Sequence, residues 1–189
     1  MKPSADATTE QRLLMPAVEI SVREASIEDA AVLAHIGSSS FRDAYQPHSN
    51  AGDLELHIDD YFTLAAVSNE IRQHGRRYVL AVVDGEPAGI AKFRKAPCPV
   101  PGGNDNAIEL QQLYVLATMQ GHGLGRHLMD YVCTAAEQHA AAGVWLSAWE
   151  FADWATRFYE RNGFTAIGKV EFNLGSTTYT DLLMWRGLE

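Results

Sequence analysis

Gln120-Gly121-His122-Gly123-Leu124-Gly125-Arg126 lies between an apolar, strand-like run from Ile108 to Val115 and a helical pattern opening near Leu124. The first four N–H groups of a helix lack internal acceptors and carry the positive end of the helix dipole, so a glycine turn at that point is a cradle for phosphate. Glycines let the backbone approach such an oxygen closely, and Arg126 stands where it adds a charge-assisted contact. The same residues also read as an ordinary strand-to-helix turn, and nothing within the turn decides between the two. His122 carries no metal-ligand pattern: His127, five residues on, falls on a different helix face, and no carboxylate follows at ligand spacing. Neither Cys98 nor Cys133 lies in a motif suited to a covalent acyl intermediate.

A second segment adds specificity. About forty residues further on the chain reads Trp149-Glu150, then Phe158-Tyr159-Glu160-Arg161-Asn162-Gly163-Phe164. Together the two segments resemble the GNAT superfamily of acetyl-CoA-dependent N-acetyltransferases. The acyl-CoA signature of that superfamily, Gln/Arg-x-x-Gly-x-Gly/Ala, is matched in register by Gln120, Gly123 and Gly125, and its second signature ends in the Phe-Tyr-x-x-x-Gly-Phe of Phe158 to Phe164. Within it the chain is most similar to the PaiA type of spermidine/spermine acetyltransferase, through Phe41-Arg42-Asp43-Ala44-Tyr45, Leu113-Tyr114-Val115, Trp145 to Glu150, Phe172 to Gly175 and Thr180-Asp181.

The resemblance implies a set of roles. Gln120, Gly121, His122, Gly123, Leu124, Gly125 and Arg126 would hold the coenzyme A pyrophosphate. Leu113, Tyr114 and Val115 would offer backbone N–H and C=O groups to the pantetheine arm and the acetyl oxygen, on a strand that bulges and splays from its neighbour. Tyr159 would donate a proton to the departing thiolate; its alternative is a core aromatic paired with Phe158. The amine arrives as an ammonium ion, so a base is required, and the candidates are Glu109, Glu150, and a water chain or His122. Gln111 and Gln112 cannot accept a proton. One departure from the pattern is Ala152, where the family usually has a coenzyme-contacting Asn; Asp153 would then serve as a helix N-cap. The implied acceptor is a small-molecule primary amine such as a polyamine. Other readings are an amino-acid, aminoglycoside-like or protein N-terminal amine, or a non-catalytic acyl-CoA sensor. A homodimer through the C-terminal strands is common in this fold.

The bulk properties agree. With 189 residues and 47% apolar content the chain suits one domain. A net charge of −9 argues against a nucleic-acid partner, whose binding rests on Lys and Arg, and suits cationic small molecules, with Asp53, Glu55, Asp59 and Asp60 expected on the acceptor side. Two isolated cysteines make a disulfide framework improbable, and no apolar run reaches membrane-spanning length, so a cytoplasmic protein is expected.

These residues need elements to position them. Residues 1–17, polar and aperiodic, read as a mobile arm and 18–189 as the domain. A strand at Glu19 to Arg23 precedes a helix capped by Ser26 and running to about Ser39, followed by a broken helix in two pieces, 53–57 and 64–73. Asp84-Gly85 marks a tight hairpin between Tyr78 to Val83 and Pro87 to Phe93. The Pro- and Gly-rich stretch 97–106 is a loop, followed by the strand Ile108 to Val115 and a helix to about Ala141 with Gly143 as its C-cap. A short buried strand at Val144 to Ala148, a helix at Asp153 to Arg161, and an antiparallel pair at Phe164 to Phe172 and Thr178 to Trp185 complete an α/β fold with a mixed, mostly antiparallel sheet. Trp145, Trp149 and Trp154 are expected in the core, with Trp149 also a candidate for lining the acyl slot.

Overall fold

The computed structural model describes residues 18–100, 103–149 and 151–188; the expected N-terminal arm and Glu150 lie outside them. Seven strands form one sheet in the order β1-β2-β3-β4-β5-β7-β6. They are β1 (Ile20–Glu24), β2 (Arg76–Val83), β3 (Glu86–Lys95), β4 (Ala107–Val115), β5 (Gly143–Ala148), β6 (Thr165–Leu174) and β7 (Thr177–Gly187). All neighbours are antiparallel except β4 and β5. The helices are α1 (Ala30–Tyr45), α2 (Ala51–Tyr61), α3 (Leu64–Arg72), α4 (Leu124–Gln138) and α5 (Asp153–Arg161).

Helix α4 and part of α5 cover one face of the sheet, where Leu124, Leu128, Met129 and Val132 pack on Val79, Ala91, Ile108, Leu110 and Leu146. Helices α1 to α3 cover the other. There Leu33 and Ile36 lie against Leu80 and Ile90, and Phe41, Leu54, Ile58 and Phe62 meet Trp149, Leu174 and Tyr179. Two of these helices are capped by their own sequence: the Asn50 side chain accepts from the N–H groups of Gly52 and Asp53, and that of Thr63 from Ala66. Asp84 and Gly85 both take positive φ, which gives the hairpin its expected tight turn.

Several boundaries differ from expectation. Helix α1 continues to Tyr45, because Phe41 is buried and stacks on Tyr45 at 4.2 Å, so packing extends a helix whose Gly-Ser-Ser-Ser stretch favours no continuation. Helix α4 ends at Gln138 and Ala140 takes φ +50°, so Gly143 is not its C-cap. Gly143 instead opens β5, where a Cβ would collide with the Trp185 ring and the Arg186 carbonyl. Asp153 is the first residue of α5 and Ala152 holds the capping position without a side-chain hydrogen bond, so the expected Asp153 cap is absent. Trp154 is 63% exposed and is not a core residue, since it follows that uncapped turn on the outer side of α5.

Candidate active site

Strands β4 and β5 pair only from Ala107 to Glu109 against Gly143 to Trp145. Beyond that point β4 stays with β3 and β5 stays with β7, so Leu110 to Val115 and Leu146 to Ala148 border a wedge across which no ladder forms. A register slip between Lys92 and Phe93 leaves Gln111 as the extra residue on β4. This bulge bends the strand just where the wedge opens. Tyr114 is in register with Ile90 and Leu116 donates to the Ala88 carbonyl, so the alternating backbone groups of Leu113 and the Val115 N–H turn away from β3 toward a space where a bound chain would satisfy them.

At the far end of β4, the Gln120 side-chain amide donates to the Val115 carbonyl at 3.3 Å and ties the turn to the strand. The His122 ring packs back on the same turn, with Nδ1 3.1 Å from the Gln120 carbonyl. Gly121 and Gly123 have φ +85° and +79°, a region that favours glycine, and Gly123 is the N-cap of α4. Gly125 has a different reason to be glycine: a Cβ there would sit 3.2 Å from the Phe158 ring. The absent side chain lets α5 approach α4, bringing the two sequence signatures into contact. The Arg126 side chain is mostly exposed and 3.6 Å from Asp130. It shares a groove of about 290 Å³ with Asp130, Arg161, Asn162, Gly163 and Arg186. Arg161 and Arg186 were not singled out by the sequence reading; their only signal is charge, and tertiary structure alone puts them beside the glycine turn.

Tyr159 packs against Phe158 and Phe164 on the α4 side of the sheet. Burial pushes its hydroxyl up to about 12, so at neutral pH it keeps its proton and can donate it. The Tyr114 hydroxyl is raised by burial and by Tyr159. That of Tyr45 is raised by burial and then by Tyr114, Asp181, Tyr159 and Tyr179. The wedge thus lies between a side with the glycine turn and an aromatic side with Tyr45, Tyr114, Trp149 and Tyr179.

Glu109 stands at the last β4–β5 pair, where its Oε2 accepts from Arg94 Nε at 2.5 Å and from Gln111 Nε2 at 3.2 Å. A second carboxylate, Asp181, is 4% exposed. Strand alternation puts both on the face covered by α1 to α3. Of the four acids expected near the acceptor, two have structural work. Asp53 accepts from the Ser176 N–H at 3.0 Å and its hydroxyl at 2.9 Å, and Glu55 forms a bidentate pair with Arg42. Asp59 and Asp60 are exposed on α2. Among the described residues no group of His, Cys, Asp and Glu is arranged to hold a metal ion, and both cysteines are free and buried.

Residues 37–164, more than half of the chain, match the acetyltransferase (GNAT) family. The chain belongs to that family. It is therefore an acyltransferase that uses acetyl-CoA as donor and acetylates an amine. An uncharacterised N-acetyltransferase of Mycobacterium bovis is 29% identical over 160 residues, covering 85% of this chain and 98% of that protein. One from Lactobacillus delbrueckii subsp. lactis is 24% identical over 169 residues, covering 89% and 98%. Among solved structures, the PaiA N-acetyltransferase of Thermoplasma acidophilum in complex with coenzyme A superposes with a TM-score of 0.73 at 19% identity, covering 90% of this chain and 99% of the other. A GCN5-related N-acetyltransferase from Rhodopseudomonas palustris gives 0.71 at 21%, covering 89% and 95%. The mixed seven-stranded sheet is the GNAT fold. Among the described residues no helix is long and apolar enough to cross a membrane.

Proposed function

We propose that this acetyltransferase moves the acetyl group directly to a small-molecule primary amine within a ternary complex. The observation that carries the reading is the wedge between β4 and β5, which begins after the Glu109–Trp145 pair and ends beside the Gly123-capped helix. Backbone N–H groups from Gly121 to Arg126 bind the pyrophosphate, and Arg126, Arg161 and Arg186 supply positive charge for the remaining phosphate. Leu113 and Val115 pair with the pantetheine arm through the backbone, and Tyr114 between them is held to β3.

In the reaction the amine gives up a proton, and its lone pair then forms the C–N bond at the thioester carbonyl carbon. The C–S bond breaks as the Tyr159 hydroxyl donates its proton to the leaving sulfur, and the second proton shed by the acylated nitrogen restores the Tyr159 hydroxyl through solvent. Glu109, which stands where the wedge opens, is the first candidate for the amine's proton. Asp181 is a second candidate because it lies close enough to Tyr45 to perturb it. E109Q and D181N separate them: the true base loses turnover and the other variant retains it.

The similarity to PaiA-type enzymes makes spermidine and spermine the first acceptors to measure. Coenzyme A release is followed with these, with short neutral-chain amines, with amino alcohols and with an N-terminal peptide amine. Release dependent on any small amine supports the proposal. Release with the peptide alone makes the acceptor a protein amine, and acetyl-CoA binding without release on any acceptor makes the protein a sensor.

A further inference from the structure

Trp149 directly follows β5 and is 7% exposed, and its indole Nε1 has no hydrogen-bond partner among the described residues. Trp145, on that strand, shows the ordinary arrangement, with Nε1 donating to the Ala96 carbonyl at 3.0 Å. Buried donors are almost always paired, so one left unmade calls for an explanation. The explanation lies in its surroundings. The Trp149 ring stacks on Tyr45 at 4.2 Å and meets Tyr179 edge-on at 6.0 Å. His48 and Phe151 stack on each other at 5.2 Å, nearly parallel, and each lies about one ring's width from Trp149, at 5.3 and 5.4 Å. Both covering rings are exposed, Phe151 by 53%. They come from the segments that follow α1 and precede α5, outside any helix or strand.

We infer that Trp149 is a specificity-determining residue whose Nε1–H binds an oxygen on the acceptor amine once the His48 and Phe151 rings swing aside. The preferred acceptor is then an amine that carries a hydroxyl, carbonyl or amide oxygen near the reacting nitrogen. The ammonium form is attracted by the Trp149 face that is not stacked on Tyr45, and the oxygen satisfies the indole. A bare polyamine can use that face but offers no acceptor to the N–H. Trp149 packs with Phe41, Leu54 and Ile58 of α1 and α2, on the face opposite α4, which assigns the contact to the amine in preference to the coenzyme. The inference rests on the acetyltransferase reading above for turnover, though not for binding.

The test compares ethanolamine and glycinamide with propylamine and spermidine, on the wild type and Trp149→Phe. Turnover is read by coenzyme A release, and binding by calorimetry on the coenzyme A complex. Expected is a wild-type preference of about tenfold or more in kcat/KM, and in affinity, for the oxygen-bearing amines. Trp149→Phe should erase that preference while leaving coenzyme A affinity within about twofold. Equal or better use of propylamine and spermidine by the wild type would overturn the inference, as would a variant that weakens all four amines alike. A variant that loses affinity for acetyl-CoA but not for coenzyme A would also overturn it, by assigning the N–H to the acetyl oxygen. If no amine is turned over, the acetyl-transfer reading fails, and the binding preference of the wild type still decides for or against the indole contact. That wild-type comparison also stands if the variant does not fold.

Discussion

Gly123 combines two requirements in one residue: a backbone at φ +79° and an open approach to the first turn of α4. Apart from its chain neighbours, no heavy atom of the described residues lies within 4 Å of where its Cβ would be, so a side chain there is strained by its backbone alone and stands in the open space before the first turn of α4. Gly123→Val should weaken coenzyme A binding at least tenfold, measured by calorimetry, with the circular dichroism spectrum preserved. Undiminished affinity would remove this turn from the coenzyme site. Tyr159 poses the opposite question, whether a partly buried aromatic does more than pack. Tyr159→Phe keeps the ring contacts with Phe158 and Phe164 and deletes only the hydroxyl. Turnover should fall by roughly 100-fold to 10,000-fold with coenzyme affinity unchanged. Because the hydroxyl is held up to about 12, the wild-type rate should show no descending limb from Tyr159 below pH 10. A rate equal to wild type in the Phe variant would leave Tyr159 a packing residue.

Among the elements, α2 is tied to the sheet by a small latch. Asp53, in the first turn of α2, accepts both the N–H and the hydroxyl of Ser176, in the turn between β6 and β7. Gly175 has φ +56°, and a Cβ there would overlap the Asp53 carboxyl. Gly175→Ala should therefore open the latch and loosen α2 over the aromatic side of the wedge. The expected result is a melting temperature lower by several degrees, from a loss of about 1–2 kcal/mol, and a higher KM for the amine with coenzyme A affinity unchanged. Helix α3 is anchored by a different device, in which Lys92 and the Tyr78 hydroxyl donate to the Glu70 carboxylate beneath the helix. Burial pushes the Glu70 carboxyl up, but the Lys92 and Tyr78 hydrogen bonds pull it below its ordinary value overall. The stability this adds is present above the unfolded-state pKa and is lost as pH falls through the folded one.

For the whole molecule the net charge of −9 sets a field. Asp53 and Glu55 are occupied within the protein, leaving Asp59 and Asp60 to face solvent on α2. Exposed charges of this kind steer ligands and are screened by salt, over about 30 Å at 0.01 M and about 8 Å at 0.15 M. The KM for a cationic acceptor such as spermidine should rise several-fold between those ionic strengths, with kcat steady. A KM indifferent to salt would locate any cation preference in the enclosed aromatic side, with Asp181, and not in the surface field.

Much of this architecture is legible in the sequence, and the legible parts share a cause. The Asp84-Gly85 hairpin, the glycine turn into α4, the break at Phe62-Thr63 and the end of α5 at Asn162-Gly163 all follow from backbone conformations that particular residues favour locally. The two signatures were readable because each is a short, contiguous pattern. What stayed illegible depends on residues far apart in the chain. Asp53 and Ser176 are 123 residues apart, and Arg94 and Glu109 meet only because β3 and β4 pair in one register. The same holds for the wedge, since its opening depends on β4 and β5 each keeping a different partner. Trp149 is the clearest case. Its type and position were plain in the sequence, but a buried, unpaired indole N–H beneath two exposed rings is a property of the assembled core, and only folding decides which donors are left without acceptors.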